Sequence, residues 1–211
     1  RENYLCAGAA DLYAETGEQD LLVPLESTWE NMVRKKMYIT GACGALYDGA
    51  SPDGSEDQAH ITRVHQAYGR NYQLPNTTAH NETCANIANL MWSWRMFLIS
   101  GDAKYLDVLE LALYNSILSG VSLSGTEYFY VNPLRVVEPM PTDLRYPRTR
   151  QPFFVSFCCP PNLLRTIAEL SGYVYSKTDD SLWLNLYGAN TLSTELLGEP
   201  LQISQKTAYP W

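Results

Sequence analysis

"NIANLMWSWRMFLISG", residues Asn86–Gly101, is the stretch that decides the fold class. Its apolar residues fall nearly all round a 3.6-residue period, so the sequence predicts a helix buried on most sides. Such a helix needs other helices around it, and the flanking sequence supplies them. "DAKYLDVLELALYNSILSG" begins at the cap residue Asp102 and ends at Gly120. Upstream, "ENYLCAGAADLYAETG" has helical spacing and a glycine stop at Gly17. "LESTWENMVRKKMYITG" reads as a helix starting after Pro24 and ending near Gly41, with Arg34, Lys35 and Lys36 where cations suit the helix dipole. A further helix is expected from about Asn162 to Tyr175.

Between these helices lie two other kinds of sequence. Residues 42–81 include "GALYDGASPDGSEDQAH", rich in Gly, Ser and Asp, and "YQLPNTTAHN", which is extended and turn-like. A loop this long in a compact domain is usually functional or disordered. "TEYFYVNPL" reads as a short aromatic strand. After the last helix the apolar period changes from 3.6 to 2: "LWLNLYGANTLSTELLG" and "LQISQKTAYPW" read as strands joined by turns. The shift near Thr178 divides the chain into a helical part, 1–177, and the start of a β domain, 178–211. The fold class is therefore mainly α, a layered array of helical hairpins followed by a few strands.

The net charge of −8 argues against a nucleic-acid partner, because phosphate binding needs a basic surface. No apolar run reaches the roughly 18 residues that a membrane span requires. No secretory signal peptide opens the chain. It begins in helical rhythm without Met and stops at "KTAYPW" in strand-like sequence, which reads as a piece of a longer protein. Cytoplasm, periplasm and secretion all stay open as locations.

The chemistry concentrates at "SFCCPPN", Ser156–Asn162. Five cysteines (Cys6, Cys43, Cys84, Cys158, Cys159) are an odd number, which argues against a full disulfide framework. A disulfide within the vicinal pair would be strained, its Cα atoms being held about 3.8 Å apart, below the usual ~4.4–6.8 Å. Pro160 biases Cys159 away from helix, and Pro in a first helical turn is well tolerated. The pair therefore stands at a rigid helix N-terminus, a setting that lowers thiol pKa. In "NETCANIAN", Glu82 and Cys84 share a face if extended, just ahead of another helix. Glu82, Cys84, Cys158 and Cys159 together supply one oxygen and three sulfurs, a set suited to tetrahedral Zn2+. Free cysteines also often simply pack, and for Cys6 and Cys43 that is the preferred reading. Four protein ligands, moreover, ordinarily describe a closed structural zinc rather than a catalytic one.

"NETCANIANLMWSWRM", "LYNSILSGVSLSGTEYFYVNPL", "CCPPNLLRTIAEL" and the terminal "YPW" resemble the zinc-thiolate glycoside hydrolases of families 127 and 146, whose best-known members are bacterial β-L-arabinofuranosidases. The resemblance runs over nearly the whole chain. It implies part of an (α/α)6 barrel followed by the first strands of a β-sandwich. It implies Zn2+ on Glu82, Cys84, Cys158 and Cys159, with Cys158 also the nucleophile that attacks the anomeric carbon and forms a thioglycosyl intermediate. The open chemistry then lies on a ligand sulfur, which answers the closed-site objection. Tyr130 is implied as a substrate contact, although a strand aromatic of this kind more often belongs to the core. The implied partner is carbohydrate, a plant cell-wall arabinan or an arabinose-bearing glycan, cleaved by a retaining exo-glycosidase.

One departure from the family pattern falls at Gln66. The family carries a glutamate general acid/base sixteen residues before the zinc glutamate, and here "HQAYGRNYQLPN" places Gln66 there. A primary amide delivers no proton at neutral pH, whereas a retaining glycosidase needs an acid for its leaving group. Three readings stay open. The substrate or acid differs, an acidic furanose being tolerated once the Glu charge is gone. The protein is a catalytically weak, zinc-stabilised carbohydrate binder. Or His65 or Glu56 takes the proton role.

Overall fold

The computed structural model describes residues 2–47, 49–52, 61, 66–140 and 143–210. His65 and Glu56 lie outside the described residues. Among those described, helix dominates, with a few short antiparallel strands. The order is α1 (Glu2–Thr16), α2 (Gln19–Lys35), α3 (Thr83–Ser100), α4 (Ala103–Ala112), α5 (Cys159–Glu169), α6 (Ser171–Val174), then β1 (Tyr175–Lys177), β2 (Leu182–Leu184), β3 (Asn190–Leu196) and β4 (Glu199–Gln205). The chain forms two compact units, Arg1–Leu164 and Arg165–Trp211, and the division falls within α5.

In the first unit α3 is the central helix. Ala7 and Ala10 of α1, Leu25, Trp29 and Met32 of α2, and Tyr105 and Val108 of α4 form one core with its Trp92, Met96 and Phe97. The all-round apolar pattern of α3 is thus spent on packing, and Trp92 is fully buried. Helix ends follow the local chemistry. Asp102 accepts a hydrogen bond from the Lys104 backbone N–H at 3.0 Å, capping α4. Gly101, at φ 69°, closes α3 by donating its N–H to the Phe97 carbonyl. Beyond Ala112, α4 widens into a π turn (Leu113–Ile117) and ends in a 3-10 turn at Gly120.

Three helix boundaries depart from the sequence expectation. α2 starts at Gln19 rather than after Pro24, which lies inside it. The one carbonyl left without a helical donor there, that of Asp20, belongs to an exposed residue that water can serve. The same helix stops at Lys35, well short of Gly41. Met37 pairs instead with Cys43, and Tyr38 donates its N–H to the Ala42 carbonyl at 2.9 Å. Gly41, at φ 78°, turns this hairpin. A Cβ there would meet the Ala112 backbone at 2.8 Å, so only glycine fits. The last predicted helix begins three residues early, at Cys159, because Pro160 and Pro161 occupy first-turn positions whose amides have no intrahelical acceptor. It is also split, α5 ending at Glu169 and α6 at Val174.

The aromatic segment 128–132 makes isolated bridges, Tyr128 with Gln151 and Val131 with Glu82, rather than a longer strand. The second unit contains two antiparallel hairpins, β1–β2 and β3–β4. The burial of β3 alternates residue by residue, as the period-2 pattern requires. Its turn, Leu197–Gly198, has φ of 55° and 80°, the left-handed pair that a two-residue hairpin loop needs. Among the described residues no helix is long and apolar enough to cross a membrane.

Candidate active site and metal centre

Two helix N-termini of the first unit meet at one point. Glu82 is the extended residue ahead of α3, at φ −78° and ψ 129°, and Cys84 lies in the first turn. This differs slightly from an extended Glu-x-Cys. The change from strand to helix falls between the two side chains and keeps both on the same side of the junction. Segment 129–132 straps this junction down. The Thr83 N–H donates to the Tyr130 carbonyl at 3.1 Å, the Asn132 N–H to the Asn81 carbonyl at 3.1 Å, and the Thr83 hydroxyl to the Phe129 carbonyl at 2.9 Å. The other N-terminus belongs to α5. Cys158 supplies the first helical carbonyl, to the N–H of Asn162 at 3.2 Å, and Cys159 is the first helical residue.

The four predicted metal ligands converge. One donor atom from each of Glu82, Cys84, Cys158 and Cys159 lies within 4.8 Å of all the others. The two vicinal sulfurs are 3.7 Å apart, and Glu82 Oε1 is 3.9 Å from each of them. A tetrahedron with Zn–S of about 2.3 Å and Zn–O of about 2.1 Å has edges of roughly 3.6–3.8 Å. The donor set suits zinc in its chemistry; three of its separations, 3.7–3.9 Å, lie close to those edges, and every separation is within 4.8 Å. Three of the four donors are buried and one, Cys158, is exposed.

The electrostatics distinguish the two sulfurs. A hydrogen bond from Cys159 holds the Cys158 thiol down to about 6, helped by Tyr130. Cys159 is pushed far up, by that same bond, by Cys84 and by burial. Negative charge at the pair is better solvated on Cys158, which is exposed, than on buried Cys159. Cys6 and Cys43 both rise to about 11, chiefly through burial, and take no part in the cluster.

Tyr130 combines both of its sequence readings. Its ring is buried, stacked on Tyr146 at 4.0 Å between centroids and edge-on to Phe154. Its hydroxyl reaches to 3.3 Å from Cys158 Sγ. Gln66 is a non-glycine residue in the left-handed region, at φ 58°. It lines a cavity of about 20 Å³ together with Asn3, Tyr68, His80 and Glu82. That volume is room for about one water molecule.

Two contributors escaped the sequence reading. His80 is fully buried, with Nε2 3.2 Å from Glu82 Oε2. Its signal was present: His80, Glu82 and Cys84 alternate along "HNETC". Tyr4 of α1 donates its hydroxyl to the Cys84 carbonyl at 3.1 Å and accepts from Asn162 Nδ2, linking the two N-termini. No local pattern announces a contact across 158 positions.

Residues 1–172 match the family described as β-L-arabinofuranosidase, GH127 catalytic domain. The non-reducing end β-L-arabinofuranosidase of Bifidobacterium longum subsp. longum is 32% identical over 219 residues, an alignment covering 100% of this chain and 30% of that protein. A solved structure described as a glycoside hydrolase is 55% identical, with a TM-score of 0.90 over 99% of this chain and 35% of its own. A GH127 β-L-arabinofuranosidase from Geobacillus stearothermophilus T6 is 38% identical, with a TM-score of 0.85 over 100% of this chain and 31% of its own. The chain thus spans about a third of the length of these relatives.

Proposed function

The chain belongs to the GH127 catalytic-domain family, and from that premise we propose that it carries the reaction centre of a retaining exo-glycosidase acting on a furanoside, foremost a β-L-arabinofuranoside. The observation that carries this reading is the exposure of a single donor, Cys158, in a cluster whose other three donors are buried.

Glu82, Cys84, Cys158 and Cys159 are the residues to hold Zn2+. When bound, the ion keeps the thiolates deprotonated and in place. Cys158 Sγ attacks the anomeric carbon as the glycosidic C–O bond breaks, forming a thioglycosyl intermediate. Water then displaces the sulfur, and two inversions give net retention. Once Cys158 is a thiolate, the Tyr130 hydroxyl, 3.3 Å from its sulfur, donates to it or to an adjacent sugar oxygen, and the stacked ring keeps that hydroxyl in place. The leaving oxygen takes its proton from a group other than Gln66, whose amide gives none up at neutral pH.

Residues 1–177 form part of an (α/α)6 barrel in this reading, and 178–211 open a β-sandwich. The partner is an arabinan or another arabinose-bearing glycan.

A second reading rests on Gln66, which stands sixteen residues before Glu82, where the resemblance puts the family's acid, and which lines the same cavity as Glu82. Here the substrate is an acidic furanose, or the protein is a weak, zinc-stabilised carbohydrate binder. The test is turnover of an aryl β-L-arabinofuranoside by the full-length protein beside its Gln66→Glu variant. Turnover with the native glutamine supports the first reading. Turnover only in the variant supports the second, and inactivity of both on this glycoside and on a uronic furanoside overturns the enzyme reading.

A further inference from the structure

We infer that His80 is a positioning residue: it holds one oxygen of Glu82 so that the carboxylate presents only the other to the metal. The inference rests on the metal reading of the four-residue cluster. The two carboxylate oxygens already have different partners. Oε1 lies 3.9 Å from both Cys158 and Cys159 sulfurs, and Oε2 lies 3.2 Å from His80 Nε2. An ionised carboxylate only accepts hydrogen bonds, so Nε2 carries the proton and donates it.

The imidazole is not free to reorient. Its ring is fully buried and sits edge-on to Tyr47, with centroids 4.9 Å apart at 88°. Tyr47 is itself pinned at both ends. Its N–H donates to Ser51 Oγ at 2.8 Å, and its hydroxyl accepts from the Tyr146 N–H at 2.9 Å. Tyr146 stacks on Tyr130, whose hydroxyl meets Cys158. A continuous run of contacts, Glu82–His80–Tyr47–Tyr146–Tyr130–Cys158, therefore begins and ends on donor atoms of the same cluster.

This has a chemical consequence. A carboxylate that offers two oxygens raises the coordination number and crowds the sulfur that must attack. A carboxylate with one oxygen occupied elsewhere completes a four-donor set of one oxygen and three sulfurs. Partners of this kind tune both metal affinity and ligand orientation.

The test uses the full-length protein and two variants. His80→Phe fills the site without a donor, and His80→Gln restores an N–H. Zinc affinity is read by chelator competition, and coordination number by the visible spectrum after loading with Co2+. His80→Phe should bind zinc about 10–100-fold more weakly, with weaker cobalt d–d bands as Glu82 turns to offer both oxygens. His80→Gln should return both readouts towards the parent. A His80→Phe protein indistinguishable from the parent in affinity and spectrum overturns the inference. A parent that binds no zinc overturns the metal reading itself, which separates the two failures. If His80→Phe does not fold, judged by circular dichroism, imidazole 15N resonances of the unaltered zinc-loaded protein decide. The proton belongs on His80 Nε2, and a proton on Nδ1 with Nε2 bare overturns the inference.

Discussion

The two helix N-termini that meet at the cluster are held by different means. The start of α3 is strapped from outside, by segment 129–132 and by the Tyr4 hydroxyl on the Cys84 carbonyl. Its donors, Glu82 and Cys84, are buried. The start of α5 is stiffened from within, by Pro160 and Pro161 in its first turn. It places one sulfur inside, Cys159, and one towards solvent, Cys158. In the proposed function the strapped side is the clamp and the proline side holds the reactive group in a fixed direction. A short covalent constraint suffices to aim a side chain while leaving it uncovered, whereas tertiary straps fix a donor by covering it.

The largest expected effect breaks this division of labour at its reactive end. On the proposed function, Cys158→Ser should lower turnover by the full-length protein by about 10³-fold or more. Its zinc content should be largely retained, because the three buried donors remain and Cys158 is the exposed one, so that solvent can reach the position its sulfur leaves. Undiminished turnover would reduce the vicinal pair to a metal clamp. At the clamp end, Cys84→Ser should weaken zinc binding by more than ~100-fold in chelator competition, beyond the loss expected for an outer partner. If Cys84→Ser and Cys158→Ser lose metal equally, the two N-termini do not differ as described.

Cys43 is the control thiol, packed beside α3 but outside the cluster: Asn3 donates to its sulfur at 3.1 Å. Burial raises it from a thiol's ordinary 9.0 to about 11. The neutral thiol is therefore favoured in the folded state. Its contribution is complete below about pH 9 and is lost as pH rises through about 11. The unfolding free energy of the parent should fall more steeply over that window than that of Cys43→Ala, by up to ~3 kcal/mol. Equal slopes would remove Cys43 as a buried neutral thiol.

Tyr4→Phe removes the hydroxyl that joins the two N-termini. It should cost about 1 kcal/mol in chemical denaturation. A null result would mean that the α3 clamp and the α5 arm are coupled only through the donors. Pro161→Ala tests the stiff side alone, and about 0.4–1 kcal/mol should be lost through a more flexible unfolded chain. A larger loss would show that the proline also makes contacts that matter in the folded state.

Much of this was legible in order. The all-round apolar face of α3 predicted a central buried helix, and Trp92, Met96 and Phe97 lie in the core as it required. The change to period 2 predicted β3 and β4. Glu82, Cys84, Cys158 and Cys159 were selectable because few residue types can ligate a metal and because each pair stands beside a helix signal. Helix ends were read less well. Pro24 and Pro160 were taken as boundaries, yet both lie inside helices: Pro160 stands in a first turn where the missing donor is surplus, and Pro24 loses one bond whose acceptor, the Asp20 carbonyl, belongs to an exposed residue.

What the sequence by itself determined is local: which segments coil, which extend, and which side chains carry sulfur, carboxylate or a stiff backbone. These depend on neighbours within a few positions, where periodicity and φ restriction act. Only the tertiary structure decided that residues 82–84 and 158–159 meet, that Cys158 rather than Cys159 faces solvent, and that His80 takes one oxygen of Glu82. Those outcomes depend on how α1, α3 and segment 129–132 pack. Such packing joins positions up to 158 residues apart and leaves no periodic trace in the chain.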